Sequence, residues 1–142
     1  MRLPDGIQQN TACMLIALRE MLDDPDWSHP YLLENMRSNR GVGGESRGFD
    51  GDVQELARKA GLWCEPMTMM SRCANDDYVV FEINGKRVRF HRSEKVVIVF
   101  LTPEGNGHAE CVSITFLTSL CRTNMEILNI ILPRKGAIID AF

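Results

Sequence analysis

The chain has 142 residues, a formal net charge of −3 and five cysteines, with 44% hydrophobic and 25% charged residues. That length and composition suit one globular domain, residues 1–142, with a substantial core and little room for a second. The small negative charge gives no bulk attraction to nucleic acid or to an anionic membrane, and no apolar run approaches the ~20 residues that span a bilayer. Arg2, Asp5, Gln8 and Gln9 leave no hydrophobic signal-peptide region at the start. An odd number of cysteines without secretory features implies reduced thiols and a cytoplasmic setting rather than a disulfide framework.

Three helical segments come first. Residues 12–23 form a buried helix, with Asn10 or Thr11 as N-cap and Pro25 just past the end. Residues 30–38 begin after Ser28, with Pro30 in the first helical position. Residues 51–60 place Val53, Leu56, Ala57 and Ala60 on one face and stop at Gly61. The glycine-rich stretch 41–48 between the second and third helices is a loop by composition. Beyond residue 62 the texture turns to strand. Tyr78–Ile83 and Arg87–His91 flank Asn84-Gly85, a two-residue hairpin signal, and Val96–Leu101, Ala109–Leu117 and Glu126–Leu132 supply three more strands. Helices first and an antiparallel sheet second define an α+β domain, with a helical part over about 1–62 and a sheet part over about 63–142.

Cys13 stands out chemically. It opens the apolar run Met14–Leu22, so its thiol falls in the first turn of a buried helix, where the helix dipole favours the thiolate. Gln8, Gln9 and Asn10 lie just upstream with amide groups able to donate to an oxyanion, and Gln8 is the first choice among them. Far downstream, Gly105-Asn106-Gly107 delivers His108 into a strand. Cysteine on a helix and histidine on a sheet, adjacent only after folding, is the order expected of a cysteine hydrolase.

These segments resemble the papain-like cysteine proteases, particularly the compact viral and deubiquitinating branches. Gln8-Gln9-Asn10-Thr11-Ala12-Cys13 is similar to the Asn-x-Gly-Asn-Thr-Cys box of ubiquitin-specific proteases, and Gly107-His108-Ala109-Glu110-Cys111-Val112 resembles the histidine box of the same groups. The run from Cys13 follows the apolar pattern of the viral nucleophile box, with Met14 where those enzymes carry an aromatic residue. The resemblance implies a papain-like α+β fold and a Cys13–His108 pair. It also implies an oxyanion hole completed by Gln8 and a third member at Asn124, sixteen residues past the histidine. Gly105, Asn106 and Gly107 would then contact the substrate. Such an enzyme needs no cofactor and no metal. Its partners would be ubiquitin, a ubiquitin-like modifier or a polyprotein cleavage site, in the host cytoplasm if the source is viral.

Each of these residues also has a plainer reading. Free cysteine is among the most buried residue types, so Cys13 as core packing, in a non-enzymatic interaction module, is one alternative. A papain-fold acyltransferase or effector using the same pair is another. Cys64 with Cys73, and Cys111 with Cys121, are too widely spaced for a structural zinc site. His29 and His91 read as structural or solvated. Alternation along the basic segment 86–92 sets Arg87, Arg89 and His91 on one strand face and Val88 and Phe90 on the other. Glu45, Asp50, Asp52 and Glu104 border the glycine-rich loops and are candidate partners for a basic substrate residue.

Overall fold

The structure, a computed structural model, describes residues 2–39, 48–66, 70–74, 78–83, 86–101, 107–120, 127–133 and 138–141. Three helices lead: α1 Cys13–Leu22, α2 Pro30–Ser38 and α3 Val53–Ala60. Strands β1 Trp63–Pro66, β2 Met70–Ala74, β3 Tyr78–Ile83, β4 Lys86–His91, β5 Lys95–Leu101 and β6 Gly107–Ser113 follow, then α4 Ile114–Leu120, β7 Ile127–Leu132 and β8 Ile138–Ala141. The α+β class is therefore observed, with cysteine on the helical half and histidine on the sheet half.

Local chemistry explains the helix ends. A short 3-10 turn, Gln9–Thr11, leads into α1, whose N-cap is Ala12 rather than the expected Asn10 or Thr11. Thr11 is drawn into the turn, its hydroxyl donating to the Gln8 carbonyl at 3.3 Å, so no side chain caps α1. Helix α2 has Pro30 in its first turn, and the His29 ring accepts from the Tyr31 N–H at 3.2 Å. Asp52 caps α3 by accepting from the Gln54 and Glu55 N–H groups, and Gly61 ends it at φ 72°.

The strands form two antiparallel four-stranded sheets, in the orders β1-β7-β5-β6 and β2-β3-β4-β8. Strand β5 decides the architecture. Val96 to Phe100 are all buried, so it cannot be an amphipathic strand with one wet face. Its two sides feed two cores. Val97 and Val99 join Ala109, Ile131 and the helices through Leu15, Leu18, Leu32, Met36 and Leu56. Val96, Ile98 and Phe100 join Val112, Ile130 and Leu132 against Val79, Val88 and Phe90 of the second sheet, and against Ile114 and Leu117 of α4. The result is three layers: helices, central sheet, second sheet.

The structure corrects one strand. Residues 114–117, expected to continue the strand from Ala109, are helical. The Ser113 hydroxyl accepts from the Phe116 N–H at 3.1 Å and caps the new turn, while the Ile114 N–H donates to Glu94 O at 3.1 Å. Of the hairpin, β3 and β4 pair in register from Ile83 opposite Lys86; Asn84 and Gly85 lie outside the described residues. On β4 the expected alternation holds: Val88 and Phe90 are buried and Arg87, Arg89 and His91 exposed, with Arg89 5.0 Å above the Tyr78 ring. No helix among the described residues is long and apolar enough to cross a membrane.

Candidate active site

Helix α1 is buried nearly all round, through Met14, Leu15, Ala17, Leu18, Arg19 and Met21. The exception is a stripe at i, i+3 and i+7: half-buried Cys13 and Ile16, then exposed Glu20. That stripe faces β6 across a cavity of about 350 Å³. It is lined by Gln9 and Asn10 of the turn before α1, by Cys13, Ile16, Ala17 and Glu20 of α1, and by His108, Ala109, Glu110 and Cys111 of β6. The fold thus brings Cys13 and His108 to one cavity from opposite halves of the chain.

Two interactions fix the α1 entry. Gly48, at φ 88°, sits so close to the turn that a Cβ there would lie 2.6 Å from the Thr11 carbonyl oxygen. The Asn39 side-chain amide holds the Gly48 carbonyl at 3.1 Å. At the other end of α1, buried Arg19 donates through Nε to Trp27 O at 2.7 Å and through NH1 to Arg2 O at 3.1 Å. The helix is therefore anchored at both ends while its groove-facing stripe stays open.

The orientation of His108 follows from pairing. Val99 lies opposite Ala109 and Val97 opposite Cys111, all on the helix side. Phe100, on the second-sheet side, lies opposite His108, and the two rings meet edge-on at 5.3 Å. The imidazole therefore stands on the far side of the rim of β6 from Cys13, and among the described residues no hydrogen bond joins the two side chains. Gly107 before it has open space where a side chain would be.

Of the other expected site residues, Gln8 is exposed and precedes the 3-10 turn, while Gln9 and Asn10 are the amides on the cavity wall. Asn124, Gly105 and Asn106 lie outside the described residues, as do Glu45 and Glu104. Asp52 is committed to capping α3. The carboxylates that do line the cavity, Glu20 and Glu110, were not singled out from sequence, although Glu20 follows Cys13 at the i+7 spacing of one helix face.

Electrostatics separates the described thiols. Burial pushes Cys64 up to about 12, with Glu65 and Asp52 adding, and its Sγ donates to Asn129 Oδ1 at 3.6 Å. Burial also raises Cys111 to about 11, the Glu20 carboxylate adding, Lys95 opposing and Glu110 adding again. Both are protonated at neutral pH and serve poorly as nucleophiles. A second cavity, of about 570 Å³ between α3 and β1, contains only Cys64 of the three. Among the described residues no cluster of three or more His, Cys, Asp or Glu is placed to hold a metal ion. Comparison with protein-family models, curated proteins and solved structures finds no match to this chain.

Proposed function

We propose that this chain is a cysteine hydrolase of papain-like type that cleaves peptide or isopeptide bonds. One observation carries the reading: Cys13, the first residue of α1, and His108, on strand β6, line one cavity together with Gln9 and Asn10. Cys13 attacks the carbonyl carbon as a thiolate while His108 takes the thiol proton and later gives it to the leaving amine; water then hydrolyses the thioester. The Cys13 N–H and a side-chain amide donate to the oxyanion, each commonly worth about 3 kcal/mol in the transition state. Gln9 and Asn10 are the better placed for that role and Gln8 the third candidate. Engagement requires the His108 ring to leave Phe100 and turn across the rim of β6, and the open space at Gly107 supplies room. Such pairs commonly tighten only in the substrate complex. Asn124 is the proposed orienting residue.

The substrate class we favour is the C-terminal tail of ubiquitin or a ubiquitin-like modifier, or a polyprotein junction, because Gly105 and Gly107 directly precede His108 in the sequence and Gly48 lies against the Thr11 carbonyl ahead of Cys13. A ubiquitin probe with a C-terminal electrophile, followed by mass spectrometry, tests this directly. An adduct on Cys13 that is absent from Cys13→Ala supports nucleophile and substrate together; an adduct at another cysteine overturns the site. Product analysis separates hydrolysis from acyl transfer.

A second reading has its own support. Cys13 packs against the helix-side core, and His108 rests on Phe100, as in an interaction module without chemistry. Equal and slow alkylation of all cysteines at pH 7.5 would favour it.

A further inference from the structure

His108 faces away from the thiol it would serve, and its partner on that side is a single ring. Antiparallel pairing sets Phe100 of β5 opposite His108 of β6, so the two side chains stand on the same face of the sheet. The rings meet edge-on, with centroids 5.3 Å apart and planes at 79°, an arrangement that aromatic quadrupoles favour. Phe100 is itself fixed: only 8% exposed, it belongs to the core between the two sheets, together with Val79, Val88 and Phe90. The imidazole is half-buried at the rim of β6. The phenyl ring is therefore the anchor, and the imidazole is the part able to leave.

Space to leave into is present as well. Strand β6 ends the order β1-β7-β5-β6, so no described strand pairs along its outer rim. Gly107, just before His108, has nothing within 4 Å of where a Cβ would stand. The cavity of about 350 Å³ is lined by both His108 and Cys13. Of the other titratable groups lining it, Glu110 pairs with Ile98 and so shares the face of His108, whereas Cys111 pairs with Val97 and lies with Glu20 on the helix side. Among the described residues the imidazole makes no hydrogen bond, and the Phe100 ring is the contact that holds it.

We infer that Phe100 is a latch, a positioning residue that holds His108 out of reach of Cys13 and keeps the free protein in a slow-reacting state with the two groups unpaired. The inference rests on the hydrolase reading for what the released pair would do; the latch itself is tested without any substrate. The size of the effect follows from the contact. An edge-to-face aromatic pair biases an equilibrium between two ring positions by roughly three- to tenfold. Removing the phenyl ring should raise the paired population by that factor, while in the wild-type protein the turned ring remains the minor state.

Iodoacetamide alkylation of Cys13 across the acid and neutral range, read by peptide mass spectrometry, reports the pairing directly, because an imidazolium partner keeps a thiol ionised below its ordinary range. In the wild-type protein the rate should follow a single thiol titration and be slow on the acid side. Phe100→Leu, which keeps an apolar side chain in the core, should raise the acid-side rate roughly three- to tenfold and add a shoulder to the profile. His108→Ala in the Phe100→Leu background should remove that gain. A profile that Phe100→Leu leaves unchanged overturns the inference, and so does a gain that survives His108→Ala, which would report only a loosened core. The wild-type protein supplies a second test that needs no variant to fold. In its NMR spectrum the carbon-bound ring protons of His108 should be displaced by the Phe100 ring current, and positions equal to those of free histidine overturn the inference. If Phe100→Leu shows the His108-dependent gain but no peptide or ubiquitin substrate is cleaved, the latch stands and the hydrolase reading falls. If the ubiquitin probe marks Cys13 while Phe100→Leu changes nothing, the latch falls and the hydrolase reading stands.

Discussion

At the scale of single residues, the thiols carry the clearest consequence. Cys64 and Cys111 are held protonated, first by burial and then by nearby carboxylates, with values near 12 and 11 against an ordinary 9.0. A raised thiol pKa disfavours the thiolate, so these two sulfurs stay unreactive through neutral pH and gain reactivity only as pH climbs toward 11 and beyond. Iodoacetamide at pH 7.5, with sites read by peptide mass spectrometry, should therefore modify Cys13 well before Cys64 or Cys111. Modification of Cys111 first would remove Cys13 as the nucleophile. The same shifts act on folding. The folded state holds the thiol protons more tightly than the unfolded chain, so this contribution is fully present below pH 9.0 and is lost as pH rises toward 12. Urea midpoints measured from pH 8 to pH 10.5 should fall above pH 9, and Cys64→Ser should flatten the decline.

At the scale of elements, two left-handed glycines separate backbone strain from steric collision. Gly61 ends α3 at φ 72° with nothing within 4 Å of where a Cβ would stand. Gly61→Ala thus costs only the conformational preference, about 1 kcal/mol. Gly48, at φ 88°, adds a 2.6 Å collision with the Thr11 backbone carbonyl. Gly48→Ala should cost about 2–4 kcal/mol, since backbone on both sides must yield. It should also move the Gln9–Thr11 turn and so disturb the entry to Cys13. Thermal melts rank the two variants, and equal losses would mean that the Gly48 contact does not hold the turn. Several elements were plain in the sequence. Pro30 and Gly61 mark a helix start and a helix stop whose chemistry is local. Residues 114–117 were not, because Ile114 and Leu117 fit a buried strand as well as a buried helix. The Ser113 cap and the bond to Glu94 O, set by the turn after β4, favour the helix there.

At the scale of the molecule, Arg19 ties the N-terminal segment, α1 and the 23–28 turn into one unit from a buried position. Arg19→Met keeps the aliphatic stem but leaves the carbonyls of Trp27 and Arg2 without this donor. The expected loss is about 2–3 kcal/mol, read as a lowered urea midpoint. Amide hydrogen exchange should quicken over residues 2–7 and leave β3 and β4 unchanged. A uniform change across both sheets would mean that Arg19 supports the whole fold rather than this corner.

Taken by itself, the amino-acid sequence determined the α+β class, the leading helices and the β3–β4 pairing. All of these depend on local period, caps and turns, which are written in neighbouring residues. Tertiary structure alone decided that β5 is buried on both faces, that β6 lies at an edge, and that Cys13, Glu20 and Glu110 share a groove. It also turned the His108 ring toward Phe100 rather than toward Cys13. Pairing register sets that outcome: a strand's side-chain period is two, so the partner across the sheet, not the adjacent sequence, chooses the face each residue occupies.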